Sequence, residues 1–274
     1  MILKNPISEP LDIIILAGQS NMEGCGRGEA EKEWIPSEKI LMMQSEIRTR
    51  VEKYIVPEPS DEYYIEPADE RYSSDYGMKC GVFALEFARL YSEQMLTPGR
   101  KLLLVQSAVG GTGFVGGHWG TSDILYKRML EMVSCALGMN PENRIVAMLW
   151  HQGEHDAYER RGEGREQIAS EYEKALTALI EGVRERFGNG FPIVAAGFTH
   201  GWVDEYPEEC EAVLSATERA FSKLGKSALV TGTGDLKSNS DVIGGDDNVH
   251  FSKAACKILA SRYFDAYEAL IKSN

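Results

Sequence analysis

Residues 12–21 read DIIILAGQSN, and this stretch decides the fold. Asp12 to Ala17 is a run of β-branched and apolar residues closed by Gly18, the composition of a strand covered on both faces. The polar Gln19-Ser20-Asn21 follows at once. In an open α/β sheet, functional groups gather just beyond the carboxyl ends of the strands, so Ser20 stands where chemistry is usually done. Serine is also a preferred helix cap, and on the local sequence alone both readings stand.

Outward from this strand the chain alternates. Phe83, Phe87, Leu90 and Tyr91 fall at helical spacing, in a helix that ends before Pro98-Gly99. A strand is expected at Lys101–Gln106, a helix at Asp123–Leu137, a strand at Arg144–Trp150 and a long charged helix at Arg165–Phe187, stopped by Gly188-Asn189-Gly190. A strand at Pro192–Thr199, a helix at Glu208–Leu224, a strand at Ser227–Thr231 and a last helix from Ser252 to about Leu270 complete the pattern. Strands alternating with amphipathic helices imply right-handed crossovers. The fold class is therefore α/β: a three-layer α/β/α sandwich around a five-stranded parallel sheet in the flavodoxin-like order 2-1-3-4-5.

Met22 to Lys79 breaks this rhythm. It mixes acidic and aromatic residues with Pro36, Pro57, Pro59 and Pro67, which argues against any long helix. Lys39–Ser45 and Arg48–Val56 are expected to pair as a small hairpin. The whole of this stretch, including Asp61–Tyr76, is expected to form a pocket wall or lid within a single domain spanning residues 1–274.

Composition bounds the partners. With 274 residues and 43% hydrophobic content, the chain can bury one large core. A formal net charge of −13 argues against a nucleic-acid partner, because phosphate binding runs on Lys and Arg. No apolar segment approaches the roughly 20 residues that span a bilayer, and the opening residues lack the charged and apolar regions of a signal peptide. Cys25, Cys80, Cys135, Cys210 and Cys256 form no CxxC pair and are odd in number, which reads as a reducing, cytoplasmic setting. No histidine is expected against Cys25, so the cysteines read as inert.

Four turns carry polar or glycine-rich sequence at strand ends or helix starts: Gln19-Ser20-Asn21, Gly110-Gly111-Thr112, Gln152-Gly153-Glu154 and Asp247-Asn248-Val249-His250. In a parallel sheet they fall on one edge, where distant residues converge. A serine hydroxyl needs a base to take its proton, and the base works best when a carboxylate fixes its tautomer. Asp247 and His250 can supply both from one turn. Negative charge developing on a carbonyl oxygen needs donors already in place, each worth about 3 kcal/mol. The Ser20 N–H, an N–H of the Gly110-Gly111 turn and the Gln152 amide suit that role.

GQSNM at 18–22, GGTGF at 110–114 with Trp119 after it, WHQGEHDA at 150–157 and DNVHFS at 247–252 resemble, in order, the four blocks of the SGNH hydrolases. The likeness is strongest to the sialate O-acetylesterase and acetylxylan esterase branch, carbohydrate esterase family six. It implies Ser20 as nucleophile, His250 as base and Asp247 as its orienting acid. Gly111 in preference to Gly110, with Gln152 and the Ser20 N–H, would form the oxyanion hole. It further implies hydrolysis of acetyl esters of sugars through an acyl-enzyme, with no metal or other cofactor, and an acetylated carbohydrate as the partner. His151 and His155 depart from the pattern, in place of a methionine and a small residue, and bear on the shape of the pocket.

Around these, Glu154 and Asp156 read as supports of Gln152 or of the histidine rather than as reacting groups, and Asn21 as a pocket or supporting residue. Trp119 and Phe114 can stack on a sugar or simply pack. His118 and His200 read as loop or pocket-wall residues, and Asp235 as a turn cap in preference to a pocket residue. His151 and His155 are i, i+4, but Gly153 between them argues against a shared helical face and a metal pair. The glycine loops 110–117 and 232–234 lack the GK[ST] ending of a phosphate cradle. Two alternatives to the sugar esterase stay open: a general short-chain carboxylesterase or thioesterase of the same fold, and a non-catalytic carbohydrate-binding relative whose triad is not assembled. The acidic surface favours a neutral sugar over a sialate.

Overall fold

The computed structural model describes residues 2–28, 34–45, 49–51, 54–56, 62–70 and 81–273. Strands β1 (Ile2–Lys4) and β2 (Leu11–Gly18) open the chain, and a single helical turn, α1 (Ser20–Glu23), follows. Next come β3 (Ile40–Ser45), β4 (Thr49–Val51), β5 (Tyr54–Val56), β6 (Glu62–Pro67), α2 (Val82–Gln94), β7 (Lys101–Gln106), α3 (Ile124–Gly138) and β8 (Arg144–His151). Helices α4 (Glu154–Glu159) and α5 (Arg165–Phe187) lead to β9 (Ile193–Ala196), then α6 (His200–Glu205), α7 (Pro207–Leu224), β10 (Ser227–Val230), α8 (Asn239–Ile243) and α9 (Lys253–Lys272).

The apolar run of β2 is buried along its whole length because both faces are covered. Its residues divide with a period of two. Ile13, Ile15 and Ala17 face a core shared with α3, α5 and α7, whereas Ile14 and Leu16 face one shared with α2 and α9. Two helical layers thus sandwich one sheet. The helix boundaries have local causes: Gly188 ends α5 at φ +90°, Pro207 opens α7 where no N–H is needed, and the Ser252 hydroxyl caps α9 by accepting from Ala255 N–H.

The sheet runs β1-β6-β3-β7-β2-β8-β9-β10. The five strands expected from periodicity, β7-β2-β8-β9-β10, are parallel neighbours in the order 2-1-3-4-5. Three further strands extend the β7 edge: β3 joins β7 in parallel, β6 pairs β3 antiparallel, and β1 pairs β6 in parallel. The sheet therefore has eight strands and not five. The expected hairpin between Lys39–Ser45 and Arg48–Val56 is not formed: β3 belongs to the main sheet, and β4 and β5 pair with each other. Tyr63 and Ile65 of β6 and Leu41 and Met43 of β3 reach the main core, so these segments are framework rather than lid. The rest of the expected lid, at 29–33, 46–48, 52–53, 57–61 and 71–79, lies outside the described residues.

The amino end of β2 carries a buried charge. Asp12 is wholly buried and accepts from Arg100 Nε and Arg144 Nε at 2.7 Å and from the Tyr91 hydroxyl at 2.7 Å. Burial pushes its carboxyl up, but the bonds from Arg144, Tyr91 and Arg100 outweigh that and hold it below the usual carboxylate range. This cluster locks the strand at the end opposite its functional turn.

Candidate active site

The turn after β2 depends on a close approach. Gly18 has φ +125°, and a Cβ there would stand 2.1 Å from the His151 carbonyl oxygen, so only glycine fits. Gln19 N–H then donates to that same carbonyl at 2.8 Å. Gln19, and not Ser20, is the N-cap of α1. The Ser20 backbone N–H is thereby among those that a helix start leaves without an internal acceptor.

The Ser20 hydroxyl oxygen lies 2.8 Å from His250 Nε2. His250 Nδ1 lies 2.7 Å from Asp247 Oδ1, which also accepts the His250 N–H at 3.3 Å. In the neutral form of His250, with Nδ1–H donated to the carboxylate, the Nε2 lone pair faces the serine hydroxyl. Burial pushes the Asp247 carboxyl up, but the bonds from His250 and Asn239 prevail and hold it below its ordinary value. Burial pushes the His250 imidazole down; the Asp247 carboxylate and the neighbouring Cys25 thiol prevail and hold it up at about 10. Cys25 is thus beside a histidine, contrary to expectation, because the loop after α1 folds back under the Asp247–His250 turn.

That turn lies between α8 and α9 and needs ties to hold it. Asn21 Oδ1 accepts Phe251 N–H at 3.1 Å, and its Nδ2 donates to Val249 O at 3.0 Å and to Glu154 Oε1 at 2.7 Å. Glu154 Oε1 lies 3.3 Å from His151 Nε2, each side chain being 1% exposed. Burial raises the Glu154 carboxyl, but His151 and Asn21 bring it below its usual value. His151 Nδ1 lies 3.0 Å from the Tyr263 hydroxyl, which donates to Trp150 O. His151 is therefore an interior residue. From the other side the Thr199 hydroxyl donates to Asn248 O.

The glycine turn meets Ser20 directly, since a Cβ on Gly110 would stand 3.4 Å from that of Ser20. Gly110 N–H donates to the buried Glu23 Oε2 at 2.7 Å and has no hydrogen to spare. Gly111 follows at φ +69°. The Thr112 hydroxyl donates to Val109 O at 2.6 Å and accepts from Trp119 Nε1 at 3.0 Å. Trp119 is wholly buried, so it braces the turn and cannot stack on a sugar. Phe114 packs against Trp150 and Tyr172.

Gln152 Nε2 donates to Asp156 Oδ2 at 2.6 Å and has longer contacts, 3.2 Å each, to Gln19 Oε1 and Thr112 O. The Tyr172 hydroxyl donates to Gln152 Oε1 at 2.9 Å. Asp156 also accepts from Phe114 N–H and Val115 N–H, tying the glycine loop to α4. Its burial pushes it up to about 6, against the pull of those bonds. Glu154 and Asp156 are both supports, one of Asn21 and one of Gln152.

His118 and His155 face each other with ring centres 5.9 Å apart beside the glycine loop. Burial pushes both below their ordinary value, which keeps them neutral near pH 7. His200, at the start of α6, lies 3.6 Å from Asp241. Asp235 accepts from Arg262 of α9 at 2.6 Å. Among the described residues no group of three or more His, Cys, Asp or Glu side chains is placed to hold a metal ion. Likewise, no described helix is long and apolar enough to cross a membrane. Sequence reasoning missed Asn239, Glu23, Tyr172 and Thr199. Asn239, in the turn-like LKSNSD, gives no signal in one sequence.

The family described as carbohydrate esterase, sialic acid-specific acetylesterase, matches residues 10–269. The chain is similar to a probable carbohydrate esterase of Arabidopsis thaliana, 26% identical over 223 residues, 75% of this chain and 76% of that protein. It is also similar to a probable 9-O-acetyl-N-acetylneuraminic acid deacetylase of Escherichia coli K12, 23% identical over 130 residues, 41% of this chain and 40% of that one. Two solved structures share the fold. The crystal structure of NanS superposes with a TM-score of 0.73 at 19% identity, covering 98% of this chain and 100% of that one. The solved structure of an Arabidopsis thaliana protein superposes with a TM-score of 0.67 at 24% identity, covering 95% and 98%.

Proposed function

Since this chain belongs to the sialic acid-specific acetylesterase family of carbohydrate esterases, we propose that it removes acetyl groups from sugar hydroxyls, with Ser20 as nucleophile, His250 as general base and Asp247 orienting His250. The observation that carries the reading is the unbroken contact chain from Ser20 Oγ to His250 Nε2 at 2.8 Å and from His250 Nδ1 to Asp247 at 2.7 Å. A relative that only bound sugar would have no use for that alignment, so it favours a hydrolase over the non-catalytic alternative.

In this account the Ser20 hydroxyl attacks the acetyl carbon as His250 Nε2 takes its proton. The oxyanion is met by the N–H groups of Ser20 and Gly111. Gln152 joins them by turning to the oxyanion the one hydrogen that its two 3.2 Å contacts share, while its other hydrogen keeps the 2.6 Å bond to Asp156 that aims it. The imidazolium returns its proton to the departing sugar oxygen, leaving an acetyl-Ser20 ester. Water, deprotonated by the same imidazole, then releases acetate and restores the hydroxyl.

Acetate release from acetylated xylan oligomers, glucose pentaacetate and O-acetyl sialic acid tests the reading. Turnover of at least one sugar is expected, and turnover of none, with simple aryl acetates still cleaved, would shift the assignment to a general short-chain esterase. The glycine turn packs so close to Ser20 that a Cβ on Gly110 would meet the serine Cβ at 3.4 Å, and this crowding favours a short acyl chain. In a p-nitrophenyl ester series, acetate should exceed octanoate in kcat/KM by about tenfold or more.

The pH profile carries a second expectation. His250 can accept the serine proton only when neutral, and its imidazole is held up at about 10. The acid limb of kcat/KM should therefore lie above the ordinary histidine value near 6.5, with activity climbing from pH 6 to pH 9. A rate that falls over this interval would contradict the role of His250. For stability the sign is opposite: a raised folded value stabilises fully below about 6.5 and ceases to do so as pH rises through about 10.

A further inference from the structure

We propose that Asn239 is a positioning residue for Asp247, joining the nucleophile's loop to the acid–base turn and setting the basicity of His250. The proposal rests on the reading of Asp247 and His250 given above. Asn239 is wholly buried and opens α8, away from every motif that marks the site. Its Nδ2 donates to Asp247 Oδ2 at 2.9 Å and to Cys25 O at 2.9 Å. Its Oδ1 accepts Arg27 N–H at 2.8 Å, and its own N–H donates to His250 O at 2.8 Å. Both hydrogens of the amide face acceptors and its oxygen faces a donor. A flipped amide would set oxygen against two oxygens, so the orientation is fixed.

The consequence for chemistry follows from the carboxylate. Asp247 Oδ1 serves His250, and Oδ2 is free to rotate unless something holds it. A donor on Oδ2 fixes the plane of the carboxylate and draws charge away from Oδ1. Without that donor, Oδ1 becomes more basic and holds the imidazolium more tightly, so His250 surrenders its proton at higher pH. The same side chain anchors Cys25 and Arg27, which follow α1, so movement of the nucleophile's loop is felt by Asp247.

Two substitutions test this in the full chain. Asn239→Ala removes the donor, and Asn239→Asp keeps the size and the acceptor for Arg27 N–H but turns an oxygen toward Asp247. Both should lower kcat by about 10- to 100-fold with KM little changed. Both should also move the acid limb of kcat/KM upward, by about half a pH unit or more for the Asp variant. A folded variant that loses activity with the acid limb in place shows a purely structural residue, and one with kcat within twofold of wild type shows no role; either overturns the proposal. If neither variant folds, the wild-type protein decides. The Asn239 side-chain amide resonance should inflect at the pH at which His250 titrates, and an amide that ignores that titration overturns the proposal. Ser20→Ala and His250→Ala are assayed alongside: should they stay active, the hydrolase reading itself falls, whereas their inactivity beside unperturbed Asn239 variants overturns only the inference about Asn239.

Discussion

Ser20→Ala should lower kcat for acetyl esters by roughly 10⁴- to 10⁶-fold, the size of loss seen when a serine hydrolase is deprived of its nucleophile. The methyl side chain cannot form the acyl-enzyme, and His250 is left with no hydroxyl to deprotonate. What survives is attack by water in a pocket that still orients the ester, so a small residual rate is expected. Stability should hardly change. The Ser20 hydroxyl's contact is with His250, whose side chain is 21% exposed and can turn to water. An organophosphonate should label the wild-type protein at Ser20 and leave the variant unmodified. Undiminished hydrolysis by a folded Ser20→Ala protein would refute the assignment.

The second large effect concerns stability alone. Asp12→Ala should cost about 3 kcal/mol, at the lower end of the range for breaking a buried ion pair. Arg144 is 54% exposed and recovers water, but Arg100 is 13% exposed and the Tyr91 hydroxyl is interior, so these two lose most. The melting temperature should fall by roughly 10 °C, while kcat stays near wild type because Asp12 is about 20 Å of extended strand from Gly18. The pH dependence separates this from simple loss of packing. The Asp12 carboxyl is held below its ordinary value, so its contribution is present above the unfolded value near 3.8 and is lost as pH falls through the folded one. The gap in stability between wild type and variant should therefore narrow in acid. A gap that is constant from pH 7 to pH 3 would contradict the ionic account.

The central half of this fold was legible because β2, β7, β8 and β9 are covered on both sides and announce themselves as apolar runs between glycine turns. β6 escaped because EYYIEP sits among prolines and acidic residues whose composition reads as loop, and β3 was expected as a hairpin arm at Lys39–Ser45 rather than as a strand of the main sheet. Their place in the main sheet comes from the open edge of β7, a tertiary cause with no local trace. In the site, Ser20, Gly111, Gln152, Asp247 and His250 could be named from motifs. Asn239 and Glu23 could not, because a buried asparagine and a turn asparagine share one letter, and only the fold reveals which carbonyl or carboxylate each will meet. Trp119 shows the converse: beside a glycine loop an aromatic can serve a sugar or the core, and only the packing, which removes it from solvent, decides.

The contact between Ser20 and His250 joins positions separated by 230 residues, and this bears on how the chain matures. A nascent polypeptide emerging from the ribosome can dock β2 against β7 and β8 well before the last turn exists, and it should remain chemically silent throughout. Under the proposed function, turnover can begin only after the Asp247–His250 turn has been made and has folded back against Ser20. Recovery of activity after dilution from denaturant thus reports closure of this long-range contact, and it should lag behind the return of helical signal.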